Sequence, residues 1–152
     1  MQKQQGFSLI ELLIVVGIIA ALSAIAVPAY VNKQKIAEFN SGLASGRALL
    51  TRLDLYLDEE GGSVEDFVNE LAGGGKKSKK AKLGELATVT ELAGSGNDDS
   101  KIGLEVTFSA DSAVTGTKIT FEKRKYAWQC SYSLGKGITL EPSEIKGCQN
   151  GS

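Results

Sequence analysis

Few residues of this 152-residue chain are suited to chemistry, and they lie far apart. Glu11 is the one charge in a run from Phe7 to Val27 that is otherwise apolar or small. A carboxylate in such a run costs roughly 2.5–3.5 kcal/mol at the centre of a membrane helix and less near the interface. Its chemistry is therefore charge compensation, either by an ammonium group or by the amides that open its own helix. Cys130 and Cys148 are the only cysteines, and a late pair of this kind suits a single disulfide in an oxidising compartment. They do not form a CxxC motif, so the pair reads as structural rather than redox-active. A third feature, KKSKKAK, sets five lysines between Lys76 and Lys82. It reads either as a solvated loop or as a patch for DNA or an anionic surface. The run lacks the interleaved aromatics of a single-strand binding groove.

Little here supports catalysis. The chain has no histidine, which removes the commonest general base and metal ligand. It has no P-loop, no GxSxG and no set of four metal ligands. The adjacent acids Glu59-Glu60 and Asp98-Asp99 are flanked by glycines or polar residues and read as solvated loops. Near the C terminus only Glu141 and Glu144 are acidic, too few to suggest calcium. No cofactor is expected.

The elements that position these residues follow from periodicity. About 20 apolar residues span a bilayer core as a helix, so Gly6–Tyr30 is long enough. The leader MQKQQG is too short, and the apolar run too long, for an ordinary cleaved secretory signal. Charge does not fix orientation, because Met1 and Lys3 precede the span while Lys33 and Lys35 follow it. After Pro28 the pattern turns amphipathic: Ile36, Phe39, Leu43, Gly46, Leu50, Leu53 and Leu57 alternate spacings of three and four. Lys35, Glu38, Arg47, Arg52 and Asp54 stand outside that stripe. One helix from Phe7 to about Asp58 would run roughly 75 Å, bent near Gly17–Pro28. Gly42 and Gly46 suit either a close helix–sheet contact or a helix dimer. Gly61-Gly62 ends the helix, and Ser63 with Asp66 opens a short second one, stopped by Gly73-Gly74-Gly75. Residues 83–93 are ambiguous between helix and strand. From Lys101 the period is two, predicting strands at 102–108, 117–123 and 126–134, and a short fourth at Gly137–Leu140. Their apolar face is expected to cover the amphipathic half of the helix, an α+β layout.

With about 120 residues after the apolar run, the core is modest and forms one domain. The formal charge is −1, from 17 basic and 18 acidic side chains; removing Lys3 would leave 16 basic against 18 acidic, or −2. Nothing global points to nucleic acid.

Gly6-Phe7-Ser8-Leu9-Ile10-Glu11-Leu12, behind its short leader, resembles the type IV prepilin signature. The detailed likeness covers about the first 30 residues; beyond them only the general layout agrees. The resemblance implies that a membrane prepilin peptidase cuts between Gly6 and Phe7 on the cytoplasmic side and N-methylates Phe7. It makes Glu11 the assembly glutamate and Pro28 the helix-kinking proline. The disulfide Cys130–Cys148 would then bound a C-terminal loop, 130–148, exposed on a filament. The implied divisions are a leader (1–6), a transmembrane and filament-core helix (7–31), and a periplasmic or extracellular globular domain (32–152). That domain would hold an amphipathic helix (32–58), a variable loop (59–100) and an antiparallel sheet of about four strands (101–141). Implied partners are further copies in a helical filament, the peptidase/N-methyltransferase, the inner-membrane pilus assembly machinery and the membrane before assembly. The assembled filament would reach a host surface or DNA. The implied function is a type IV pilus subunit serving adhesion, twitching motility or DNA uptake. The alternative within the likeness is a type II secretion pseudopilin or minor pilin. A plain signal anchor, or a binding module on one, leaves Gly6-Phe7 and Glu11 unexplained.

Overall fold

The computed structural model describes residues 6–74, 79–92 and 102–151. Asp98-Asp99, Lys76, Lys77 and the leader before Gly6 lie outside them. The chain divides into two compact units, Met1–Gln34 and Lys35–Ser152. Helix α1, Leu9–Glu60, contributes to both and continues through Pro28 without interruption. In the first unit its apolar side chains are exposed all round, as with the consecutive Leu12, Leu13, Ile14 and Val15. A helix apolar on every side needs lipid or other helices around it.

In the second unit the predicted stripe of α1 is the buried one. Phe39 and Leu53 are fully enclosed, and Leu43, Gly46 and Leu50 are buried beside them. They face six strands: β1 Lys80–Leu83, β2 Ala87–Glu91, β3 Ile102–Phe108, β4 Lys118–Arg124, β5 Ala127–Ser133 and β6 Gln149–Asn150. The strands lie in sequence order, antiparallel except for the parallel β5–β6 pair. Leu104, Val106, Ile119, Phe121 and Tyr132 supply the sheet side of the core. The ring of Phe39 lies 6.3 Å from Phe108 and edge-on to Tyr132 at 5.3 Å. A methyl group at Gly42 would collide with the Phe108 ring, and one at Gly46 with Phe121. The two glycines therefore serve the helix–sheet contact.

Helix α2, Val64–Leu71, starts as its sequence predicts. Ser63 and Asp66 form a complete capping box, and Val64, Phe67 and Val68 are buried.

Three expectations change. The sheet has six strands rather than four. The stretch expected as a variable loop, 59–100, holds β1 and β2 besides the expected short helix α2; in β1 only Ala81 is buried, too sparse a pattern to read as a strand. Gly137–Leu140 is not a strand. The chain turns there, with the Ile138 amide donating to the Gly135 carbonyl at 3.0 Å, and β6 pairs with β5 instead. Of the lysine run, Lys79, Lys80 and Lys82 are exposed.

Candidate assembly and processing site

Gly6, Phe7, Ser8 and Glu11 lie together where α1 begins. The Ser8 amide donates to Oε2 of Glu11 at 2.9 Å, and the Ile10 amide to Oγ of Ser8 at 3.4 Å. Ser-x-x-Glu thus makes the Glu11 half of a capping box, while Ser8 Oγ meets the Ile10 amide rather than that of Glu11; each side chain accepts one of the amides that no helical carbonyl can satisfy. The carboxylate also sits in the first turn, where the helix dipole favours negative charge. Of the two compensations open to Glu11, the structure displays its own helix amides. The signal for Ser8 as a cap is the spacing Ser8-Leu9-Ile10-Glu11 itself. Phe7 is 90% exposed, so the Gly6–Phe7 peptide adjoins an uncovered side chain. Pro28 lies further along α1 and has no amide to offer the Ala24 carbonyl.

Cys130 and Cys148 form a disulfide with their Cα atoms 4.7 Å apart. It fastens the chain end beside β5, and the Gly151 amide adds a hydrogen bond to the Tyr132 carbonyl at 2.8 Å. Within the loop, Pro142–Glu144 makes one 3-10 turn and Ile145 is buried. Arg47 of α1 donates from Nη2 to the carbonyls of Gly147 (2.7 Å) and Lys146 (3.3 Å). A cleft of about 710 Å³ opens beside the disulfide, lined by Glu122, Arg124, Gln129, Ser131 and Gln149 among others.

Arg47 belongs to a set whose roles periodicity did not reveal. Glu38 Oε2 accepts from Ser112 Oγ and from the Ala113 amide, both at 2.7 Å, and so holds the β3–β4 loop. Asp54 accepts from Lys123 Nζ at 2.7 Å and from Trp128 Nε1 at 2.9 Å. All three flank the apolar stripe of α1, where periodicity marks them only as standing outside it. Elsewhere, Glu91 shares a small cavity of about 210 Å³ with Glu65 and Lys79. Burial, then the Glu65 charge, raises its pKa above the usual carboxylate range, against the pull of Lys79. Among the described residues no group of three or more His, Cys, Asp or Glu side chains is arranged to hold a metal ion.

The prokaryotic N-terminal methylation motif matches residues 1–27. The chain is 47% identical over 62 residues to the Prepilin peptidase-dependent protein D of Escherichia coli, 41% of this chain and 42% of that protein. It is 30% identical over 139 residues to the Type IV major alpha-pilin of Moraxella bovis, 86% of each chain. To a Fimbrial protein of Pseudomonas aeruginosa it is 30% identical over 157 aligned positions, 96% of this chain and 93% of that protein. No solved structure matches significantly.

Proposed function

The chain belongs to the type IV pilin family of pilus structural subunits, and from that premise we propose that it is cut between Gly6 and Phe7, N-methylated on Phe7, and polymerised through its apolar helix. Before assembly it sits in the bacterial inner membrane with the amino terminus cytoplasmic and residues 32–152 periplasmic; after assembly that domain lies on an extracellular filament. Its partners are the prepilin peptidase/N-methyltransferase, the inner-membrane assembly machinery and other copies of itself. The filament serves adhesion, twitching motility or DNA uptake.

One observation carries this reading: a capped carboxylate opens a helix whose apolar side chains are exposed on every side. Cleavage would create an α-amine on Phe7, whose unperturbed pKa of about 7.7–8.0 keeps it largely protonated at neutral pH. That ammonium is one residue from the amide already bound by Glu11. In an apolar bundle, Glu11 and the ammonium of the same or a neighbouring copy neutralise each other. Pairing offsets desolvation without needing to add net stability. Its larger effect is register, since a slipped helix would leave two uncompensated charges in hydrocarbon. Pro28 supplies a point where the helix bends or unwinds as copies pack.

The test is the intact mass of protein sheared from cells making this chain. A species matching Phe7–Ser152 plus one methyl, less two hydrogens for the disulfide, supports the reading. That species confined to the membrane fraction would instead indicate a type II secretion pseudopilin or a minor pilin. Uncleaved protein in cells with active prepilin peptidase would overturn processing. Glu11→Ala is expected to leave cleavage intact and abolish filaments, counted by electron microscopy; normal piliation would remove Glu11 from assembly.

A further inference from the structure

The lysine run 76–82 has charge without aromatics. The β4–β5 hairpin has both, in Lys123-Arg124-Lys125-Tyr126-Ala127-Trp128. Arg124 pairs with Ala127, so Lys125 and Tyr126 are the entire turn. Lys125 takes φ 57°, the one positive φ outside glycine among the described residues. Two-residue hairpins ordinarily place Gly, Asn or Asp in such positions, and a lysine there holds the backbone in a strained conformation. Tyr126 is 98% exposed; among the described residues of the unit Lys35–Ser152 the only other large exposed apolar side chain is Leu55. The turn therefore bears a strained cation and an uncovered aromatic ring where a glycine and a polar residue would be more stable.

The neighbours limit what this tip can do. Trp128 is committed to Asp54, and Lys123 lies over the Trp128 ring at 5.7 Å while paired with the same Asp54. Arg124 reaches Glu122 at 3.1 Å, yet its side chain stays 63% exposed. The groups open to a partner are thus the ammonium of Lys125, both faces of the Tyr126 ring and the edge of the Arg124 guanidinium left over from its Nε and Nη2 bonds to Glu122. Behind Arg124 the cleft beside the disulfide offers Gln129, Ser131 and Gln149.

We propose that the hairpin tip Arg124-Lys125-Tyr126 binds single-stranded nucleic acid, Lys125 and Arg124 meeting phosphates and Tyr126 stacking on a base. Every base has a π-face, so one uncovered ring gives affinity without sequence preference. The cations add salt-dependent attraction by releasing counterions. One tip is a weak site. A filament repeats it along its length and converts weak sites into avidity; this last part rests on the filament reading.

The test titrates fluorescein-labelled oligothymidylate with full-length protein in detergent micelles, across a series of salt concentrations. Tyr126→Ala is expected to weaken binding about fivefold or more. Lys125→Gly is expected to lower the salt slope by about 0.7 while raising the melting temperature by about 2–4 °C through relief of the turn. A residue serving only the fold would not give weaker binding with higher stability. Unchanged binding in both variants overturns the proposal. So does heparin bound as tightly as the oligonucleotide with no loss in Tyr126→Ala, which marks a generic anionic-polysaccharide surface. Intact filaments without hairpin-dependent binding sink this site alone. Hairpin-dependent binding in micelles without filaments supports the site and overturns the assembly reading.

Discussion

Leu13 and Leu53 are the same residue on the same helix, yet Leu13 is 73% exposed and Leu53 is fully buried. Around Leu13 every side of α1 is apolar, so no rotation of the helix hides its surface, and among the described residues nothing covers it. Around Leu53 the apolar residues form one stripe, which the sheet covers. Polar groups differ in the same way. In the first unit Ser8 and Glu11 satisfy amides of their own helix; in the second, Glu38, Arg47 and Asp54 reach other elements. One half of the helix has spent its hydrophobic surface on its own domain, and the other half keeps it for lipid or further copies.

The comparison breaks most visibly at matched truncations. Phe39→Ala is expected to destabilise the domain by about 3–5 kcal/mol, whereas Leu13→Ala should leave domain unfolding unchanged and act on assembly. Urea unfolding in micelles, followed by Trp128 fluorescence, separates the two; equal effects would refute the division of labour. Next in size is the fastening of the chain end. Cys148→Ser should cost about 3 kcal/mol in the same assay, with leader cleavage unaffected. Asp54→Ala should cost about 1 kcal/mol, since it removes the partner of Trp128 and Lys123 at a half-exposed position, and should shift the Trp128 emission.

The smallest effect concerns Glu91. Its raised pKa means that the folded chain favours the protonated acid, so Glu91 stabilises least once pH exceeds that raised value. Glu91→Gln should therefore raise the melting temperature at pH 7. The difference should close as pH falls through the raised value and then below the ordinary carboxylate range, where the acid is neutral in both states. A difference that persists at pH 3 would assign the effect to packing.

Much of this molecule was legible along the chain because its signals are local. The capping box of α2, the stripe from Phe39 to Leu53 and the alternation of β3, β4 and β5 each depend on residues within one or two turns or pleats. The same holds at the candidate site, where Gly6 to Leu12 carries its signature in seven consecutive residues. The Ser8–Glu11 hydrogen bond is written there too, in the spacing Ser-x-x-Glu.

What the sequence determined by itself was therefore the periodic and the adjacent: an apolar span opened by one carboxylate, an amphipathic continuation, three strands and two late cysteines. Tertiary structure decided which surfaces meet. It drew Lys80–Leu83 and Ala87–Glu91 into the sheet, because a strand with few buried residues is held by backbone pairing with a neighbour. It kept Gly137–Leu140 out, because β6 takes the neighbouring place on β5. It turned Glu38, Arg47 and Asp54 from bystanders of a stripe into clasps on segments 74, 100 and 74 residues away. A hydrogen bond across such a distance leaves no period in the sequence, since its partner is chosen only when the chain has folded back on itself.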